Sequence, residues 1–234
     1  MSAIAPFGTP RLHLRLTDST NTRARELAAA GAPHGTLVTA AEQSAGRGRQ
    51  GRTWTAPAGR ALLCSVVVRD PPPLASLRAG VATAEAIGRH AQLKWPNDVY
   101  VEGRKVAGIL VEGRPQQGWG VIGVGVNVAV APESFPPELA GRAGTLGLAP
   151  GAIEPLLAGL LGALERWLAA PAEEMLDAVR ARDVLLGQTL TWAGGTARGA
   201  GIDAHGRLVV DTGTGRQALN AGEVHLGALE ADGE

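Results

Sequence analysis

Apolar and polar positions divide this chain into short strand-like runs joined by a few longer helical ones. Arg11–Leu16 reads as a short strand leading into the polar pentad Thr17-Asp18-Ser19-Thr20-Asn21, and Thr22–Ala30 as a helix ended by Gly31. Such a pentad suits helix capping, and it presents hydroxyls and an amide where backbone N–H groups lack partners. Strands are predicted at Thr36–Ala41 and Leu62–Arg69, the second stopped by Asp70-Pro71-Pro72-Pro73. Leu74–His90 follows as a helix with its apolar positions on one face. Four more strands are predicted at Gln92–Trp95, Val99–Val101, Val106–Glu112 and Trp119–Asn127. The turn-rich stretches at 102–104 and 113–118 imply antiparallel hairpins between them. Helices are predicted at Ile153–Leu168 and Ala172–Leu185.

After Gly187 the pattern changes to five short strands, Thr189–Trp192, Arg198–Asp203, Arg207–Asp211, Arg216–Leu219 and Val224–Leu229, separated by glycine-containing turns. This spacing suits a small β-barrel or sandwich. A boundary near 185–188 gives two domains, 1–186 and 187–234.

Composition narrows the function classes. A chain of 234 residues with 45% hydrophobic content can bury one large core with a small appendage. Acidic and basic residues balance at 22 each, so no global field draws nucleic acid or an acidic membrane. The single Cys64 excludes an internal disulfide and lies in an apolar run. The N-terminus lacks the basic and apolar regions of a secretory signal, and no apolar stretch reaches membrane-spanning length, so a soluble cytoplasmic protein is expected. Of the 22 basic residues only Lys94 and Lys105 are lysine, and both fall in one segment, 93–112. A compact ammonium differs from a planar guanidinium where it must follow a reacting phosphate or carboxylate; compositional bias with two leftover lysines is the plainer reading.

The stretch from Gln43 to Trp54 contains Gly46-Arg47-Gly48-Arg49-Gln50-Gly51, a formal match to the dinucleotide-binding glycine pattern. Context rejects that match, because Arg52–Ala61 carries Pro57 and Gly59 and shows no helical face. What remains is a loop, expected to be mobile, that carries Arg47, Arg49 and Arg52 beside Trp54. It reads as a solvated surface loop, as a nucleic-acid patch, or as a loop that orders around a phosphate-bearing ligand. The last alternative must offset an ordering cost of about 2–5 kcal/mol.

Four segments stand together: Asp18-Ser19-Thr20-Asn21; the Gln43–Arg52 loop; Lys94-Trp95-Pro96-Asn97-Asp98 followed by Lys105-x-x-Gly108-Ile109-Leu110-Val111-Glu112; and Gly123-Val124-Gly125-Val126-Asn127. In order and content they resemble the biotin protein ligases, from about Leu14 into the C-terminal β-rich part. The resemblance implies an α+β fold, a mixed or antiparallel sheet with flanking helices of the class II aminoacyl-tRNA-synthetase type, plus a small C-terminal SH3-like β-barrel. It implies an ATP-dependent ligase with biotin, ATP and Mg²⁺, forming biotinyl-5′-AMP and passing biotin to a lysine of a biotin carboxyl carrier domain. No nucleic acid or membrane partner is expected, and a homodimer paired through sheet edges is among the implied assemblies. An octanoyl or lipoyl transferase of the same fold, a non-enzymatic nucleic-acid-binding module and a catalytically dead biotin sensor are the rival readings.

Residue by residue, the resemblance assigns Ser19, Thr20, Asn21 and Gln43 to the biotin head, with Arg47, Gly48 and Arg49 folding over biotin and phosphate. Lys105 would bridge carboxylate and α-phosphate and, with Arg49, carry catalysis. Gly108, Gly123 and Gly125 would let backbone approach the flat biotin bicycle, and Leu110 would supply an apolar wall. Arg49, Arg52, Trp54, Asn97 and Asn127 fall to the nucleotide, and Asp98 to Mg²⁺. Lys94 and Trp95 would orient the strand end. No Ser/His/Asp or Cys/His constellation is needed for this chemistry, and His13, His34, His90, His205 and His225 lack metal-ligand spacing. The chain opens on the catalytic part, so no DNA-binding winged helix is expected before it. Residues 128–148 lack the tryptophan that stacks on adenine in some relatives, and Arg198–Asp203 is either a partner for ATP or carrier or a structural turn.

Overall fold

The computed structural model describes residues 6–220 and 224–226. Seven strands, β1 (Arg11–Leu14), β2 (Leu37–Ala40), β3 (Ala61–Arg69), β4 (Gln92–Lys94), β5 (Asp98–Val101), β6 (Arg104–Arg114) and β7 (Trp119–Asn127), form one sheet in the order β1-β2-β3-β7-β6-β5-β4. β1 and β2 run parallel and every other neighbouring pair is antiparallel. The β5–β6 hairpin turns on Glu102 (φ 50°) and Gly103 (φ 72°), and two adjacent left-handed residues are what a tight twisted hairpin requires. That turn lets β6 begin at Arg104, two residues earlier than the hydrophobic pattern suggests, and it places Lys105 on the strand.

The two faces of the sheet have different fates. One row, Cys64–Val124–Ile109, belongs to the main apolar core, which α2 (Ala75–Ile87), α3 (Ile153–Ala169) and α4 (Ala172–Arg180) cover. Buried Arg78 of α2 donates to the carbonyls of Trp167 and Ala170, both at 2.7 Å, and so caps the C-terminal end of α3. On the other face, α1 (Thr20–Ala29) packs Ala24 and Ala28 against Val38, Val67 and Val121. α1 covers only one end of that face. The row Ser65–Gly123–Leu110 meets the first turn of α1, and Gly123, Leu110 and the next row, Leu63–Gly125–Gly108, line a cavity.

Several helix expectations needed correction. α2 stops at Ile87, where Gly88 turns out at φ 120°, and α4 is shorter than predicted because the chain leaves it to pair Asp183 with Leu93. Ser19 holds the N-cap position of α1 without a side-chain capping bond.

The C-terminal strands, β8 (Thr189–Trp192), β9 (Gly195–Ile202), β10 (Leu208–Asp211), β11 (Arg216–Leu219) and β12 (His225–Leu226), form an antiparallel sheet ordered β11-β10-β9-β8-β12. Among the described residues this sheet is open rather than a closed barrel; positions 227–229 of the last predicted strand lie outside them. Its apolar side, with Leu190, Leu208 and Val210, joins the main core. Trp95 Nε1 donates to Gly206 O at 3.0 Å, fixing the end of β4 to the small sheet. Among the described residues no helix is long and apolar enough to cross a membrane.

Candidate functional site

A cavity of about 570 Å³ opens over the uncovered face of the larger sheet. Every residue assigned above to biotin, nucleotide or metal lines it: Ser19, Thr20, Asn21, Gln43, Arg47, Gly48, Arg49, Arg52, Trp54, Asn97, Asp98, Lys105, Gly108, Leu110, Gly123, Gly125 and Asn127. That volume suits a drug-sized ligand largely enclosed by protein.

One end is neutral and hydrogen-bonding. The start of α1 brings Thr20 against Gln43, whose Oε1 accepts from Thr20 N at 2.8 Å and Thr20 Oγ1 at 3.1 Å. Ser65 of β3 lies between Thr20 Oγ1 (2.8 Å) and Asn21 Oδ1 (2.6 Å). Asn21 Nδ2 then donates to Leu110 O at 3.3 Å and Glu112 Oε2 at 2.9 Å. Ser19, Thr20, Asn21 and Ser65 are all buried, and the polar side-chain atoms of the last three are held by one another rather than by solvent.

In this structure two side chains lie directly over the glycines. A Cβ on Gly123 would fall 2.0 Å from Asn21 Oδ1, and one on Gly125 would fall 2.6 Å from Trp54 Cε2. On Gly108 it would come within 3.1 Å of Trp54 Cζ3. The space these residues leave is therefore taken by Asn21 and by the Trp54 indole, which lies across the paired Gly108 and Gly125 as part of the cavity floor. Trp54 Nε1 is buried with no hydrogen-bond partner, a donor left facing this site.

The other end is charged. Lys105 Nζ lies 2.7 Å from Asp98 Oδ1 as an ion pair. Arg49 Nη1 donates to Asn97 Oδ1 at 2.9 Å, and Asn97 is anchored by its Nδ2 to Ile109 O at 3.0 Å. Lys94 also faces the cavity. Burial lowers its pKa; the carboxylate of Asp98 opposes this, while the charges of Lys105, Arg142 and Arg52 add to it. The neighbouring Tyr100 phenol is pushed up to about 12 by burial and by Asp98.

The arginine segment folds as a short hairpin. Arg47 bridges Thr53, Trp54 N donates to Gly46 O at 3.0 Å, and Gly48 N donates to Arg52 O at 2.7 Å. Gln50 (φ 55°) and Gly51 (φ 76°) make its tip. Arg47 Nη2 reaches Glu112 Oε1 at 2.9 Å, which draws the hairpin over the neutral end.

Sequence reasoning missed Ser65, Glu112, Phe135, Leu139, Arg142 and His225. Ser65 and Glu112 sit inside apolar strands, where their pairing across more than forty residues left no periodic signal. The segment after β7 folds back because Lys105 N donates to Arg142 O (2.9 Å) and Asn127 Nδ2 to Gly144 O (2.9 Å). That return brings Phe135, Leu139 and Arg142 to the cavity and leaves buried Asn127 Oδ1 without a partner. β12 adds His225, whose pKa is lowered by burial and by Lys94, Arg142 and Arg52.

Residues 13–127 match the biotin/lipoate A/B protein ligase family, and residues 179–227 match the biotin protein ligase C-terminal domain. The chain is 37% identical over 236 residues to the biotin–[acetyl-CoA-carboxylase] ligase of Mycobacterium tuberculosis, covering 90% of this chain and 86% of that protein. It is 36% identical to the Paracoccus denitrificans protein of the same name, covering 92% and 99% respectively. With the bifunctional ligase/repressor BirA of Bacillus subtilis it shares 38% identity over 157 residues, 62% of this chain and about half (48%) of that longer protein. The fold matches the biotin protein ligase of Aquifex aeolicus in complex with biotin and ATP, with a TM-score of 0.79, 24% identity, and coverage of 94% of this chain and 100% of that one.

Proposed function

The chain belongs to the biotin/lipoate A/B protein ligase family, and on that premise we propose that it joins biotin to a lysine of a biotin carboxyl carrier domain at the expense of ATP. The observation that carries this reading is the polarity of this cavity. A neutral hydrogen-bonding end built on Thr20, Gln43 and Asn21 faces a cationic end built on Lys105, Lys94 and Arg49. Biotin has the same polarity, with a ureido head needing donors and acceptors and a carboxylate tail needing cations. A lipoyl or octanoyl substrate has no ureido group for the neutral end to engage.

In the first step a biotin carboxylate oxygen attacks the α-phosphorus of ATP, the bond to the β-phosphate breaks, and pyrophosphate leaves. Lys105 stabilises the charge shared by carboxylate and α-phosphate, with Asp98 holding its ammonium in place. Arg49, positioned by Asn97, closes over the same oxygens. In the second step the carrier's lysine amine attacks the biotinyl carbonyl, the mixed anhydride C–O bond breaks, AMP leaves and the amine loses its proton. The protein forms no covalent bond, so its contribution is positioning and charge. Asn127 Oδ1, buried without a donor, suits an exocyclic amine such as that of adenine.

Mg²⁺ carried by ATP would neutralise phosphate charge, and the Asp98 carboxylate at the charged end of the cavity is the oxygen donor that would meet it. Among the described residues no group of three or more His, Cys, Asp or Glu side chains could hold a metal without the nucleotide. The division at 186/187, a cytoplasmic location and pairing through the exposed edge strand β1 belong to the same reading.

Biotin-dependent exchange of labelled pyrophosphate into ATP tests the first step. Exchange that requires biotin supports the proposal, and exchange that lipoate or octanoate drives as well as biotin overturns it.

A further inference from the structure

Resting on that reading of the site, we propose that Glu112 is a positioning residue that sets the direction of the hydrogen bonds around the biotin head and latches the arginine hairpin over it. Glu112 lies on β6 outside the reacting end, and its side chain is only 20% exposed. It receives Arg47 Nη2 at 2.9 Å, Arg25 Nη1 at 3.6 Å and Asn21 Nδ2 at 2.9 Å.

A carboxylate only accepts hydrogen bonds. Asn21 must therefore turn its NH₂ toward Glu112 and Leu110 O, leaving its oxygen for Ser65. The Ser65 hydroxyl, with its one proton, lies between Asn21 Oδ1 at 2.6 Å and Thr20 Oγ1 at 2.8 Å, and the Thr20 hydroxyl donates to Gln43 Oε1 at 3.1 Å. Gln43 Oε1 is already held by Thr20 N at 2.8 Å, so the NH₂ end of that amide is the part left to donate to a ligand. Glu112, as an acceptor, thus fixes the orientation of the Asn21 amide and, through it, the Ser65 hydroxyl that lies against Thr20. Through Arg47 the circuit returns to the segment that begins at Gln43, closing a ring that ties the incoming strand of the hairpin to α1, β3 and β6.

The two roles separate by substitution. Glu112→Gln can still accept from Asn21 but loses the ion pair with Arg47; Glu112→Leu loses both.

Limited trypsin digestion of the ligand-free protein, with peptides mapped by mass spectrometry, reads the latch without any ligand, since the hairpin carries Arg47, Arg49 and Arg52. Glu112→Gln should be nicked there about fivefold faster, the size expected for a partly exposed ion pair, with its unfolding temperature unchanged. Titration with biotin should show Glu112→Leu weakened at least about tenfold and Glu112→Gln far less, since only Leu leaves the buried Asn21 NH₂ without this acceptor. Wild-type nicking in Glu112→Gln, or acceleration shared by cleavage sites throughout the chain, overturns the latch. Equal biotin affinity in both variants and the wild type overturns the directional role. If the wild-type protein binds no biotin, the ligase reading fails while the digestion still decides the latch.

Discussion

Gly123→Ala tests the packing of the neutral end most sharply. Gly123 sits between Ser65 and Leu110 in the middle of the sheet, and a Cβ there would lie 2.0 Å from Asn21 Oδ1 and 2.8 Å from Asn21 Cγ. No real Cβ tolerates such contacts, and the obstacle is no flexible tip, because Asn21 is only 4% exposed and fixed at the first turn of α1. The amide must swing out, which breaks Ser65 Oγ to Asn21 Oδ1 (2.6 Å), Asn21 Nδ2 to Glu112 Oε2 (2.9 Å) and Asn21 Nδ2 to Leu110 O (3.3 Å). At about 0.5–1.5 kcal/mol for each bond the loss is about 2–4 kcal/mol. For a chain of this size each kcal/mol moves the melting point by about 2–4 °C, so a drop of about 5–15 °C is expected by differential scanning fluorimetry or calorimetry. Biotin affinity should fall with it, because Thr20 loses the ordered neighbour that holds Ser65. A melting point within about 2 °C of wild type would show that Asn21 does not occupy this space, and the account of the neutral end would be wrong.

Three further outcomes are expected. Lys105→Ala should cut biotin-dependent pyrophosphate exchange at least about a hundredfold while shifting the melting point only slightly, since the lysine side chain is 31% exposed; normal exchange removes it from the chemistry. Gly162→Ala, in the exposed face of α3 with nothing within 4 Å of the added methyl, should raise stability by about 0.5–1 kcal/mol, read as a shift in denaturant midpoint. The Cys64 thiol is pushed up from 9.0 to about 12 by burial, with Arg11 opposing, so the fold favours the neutral thiol. Its contribution is complete below pH 9.0 and is lost as pH rises toward 12. A disulfide reagent at pH 8 should label Cys64 only as fast as the protein unfolds; fast labelling of the native state contradicts this.

The sequence exposed the parts of the site whose chemistry is unusual for their surroundings. Lysines in an arginine-rich chain, glycines in otherwise β-branched strands and an arginine-glycine run all point to one cavity, and the structure places them there. Family likeness supplied their roles; the residue types alone left the arginine loop undecided among three readings. Hidden in the sequence were partners joined across long separations. Glu112 reads as one more polar end of a strand until Arg47 and Asn21 are brought against it. No local pattern reveals that Asn21 and Trp54 fill the space above the glycine rows. The Gly/Pro-rich stretch after β7 carries no periodicity, so the return of Phe135 and Arg142 to the cavity depends on backbone bonds to Lys105 and a side-chain bond from Asn127. α4 ends early for a tertiary reason, the edge pairing of Asp183 with Leu93, which outweighs the helical pattern of residues 181–185.

The central claim is that this cavity activates biotin and hands it to a carrier lysine. Mass spectrometry of a purified apo biotin carboxyl carrier domain, incubated with the protein, biotin, Mg²⁺ and ATP, addresses it directly. The account predicts an ATP-dependent gain of one biotinyl group on a single lysine. An unmodified carrier, together with no biotin binding by titration calorimetry, would contradict it.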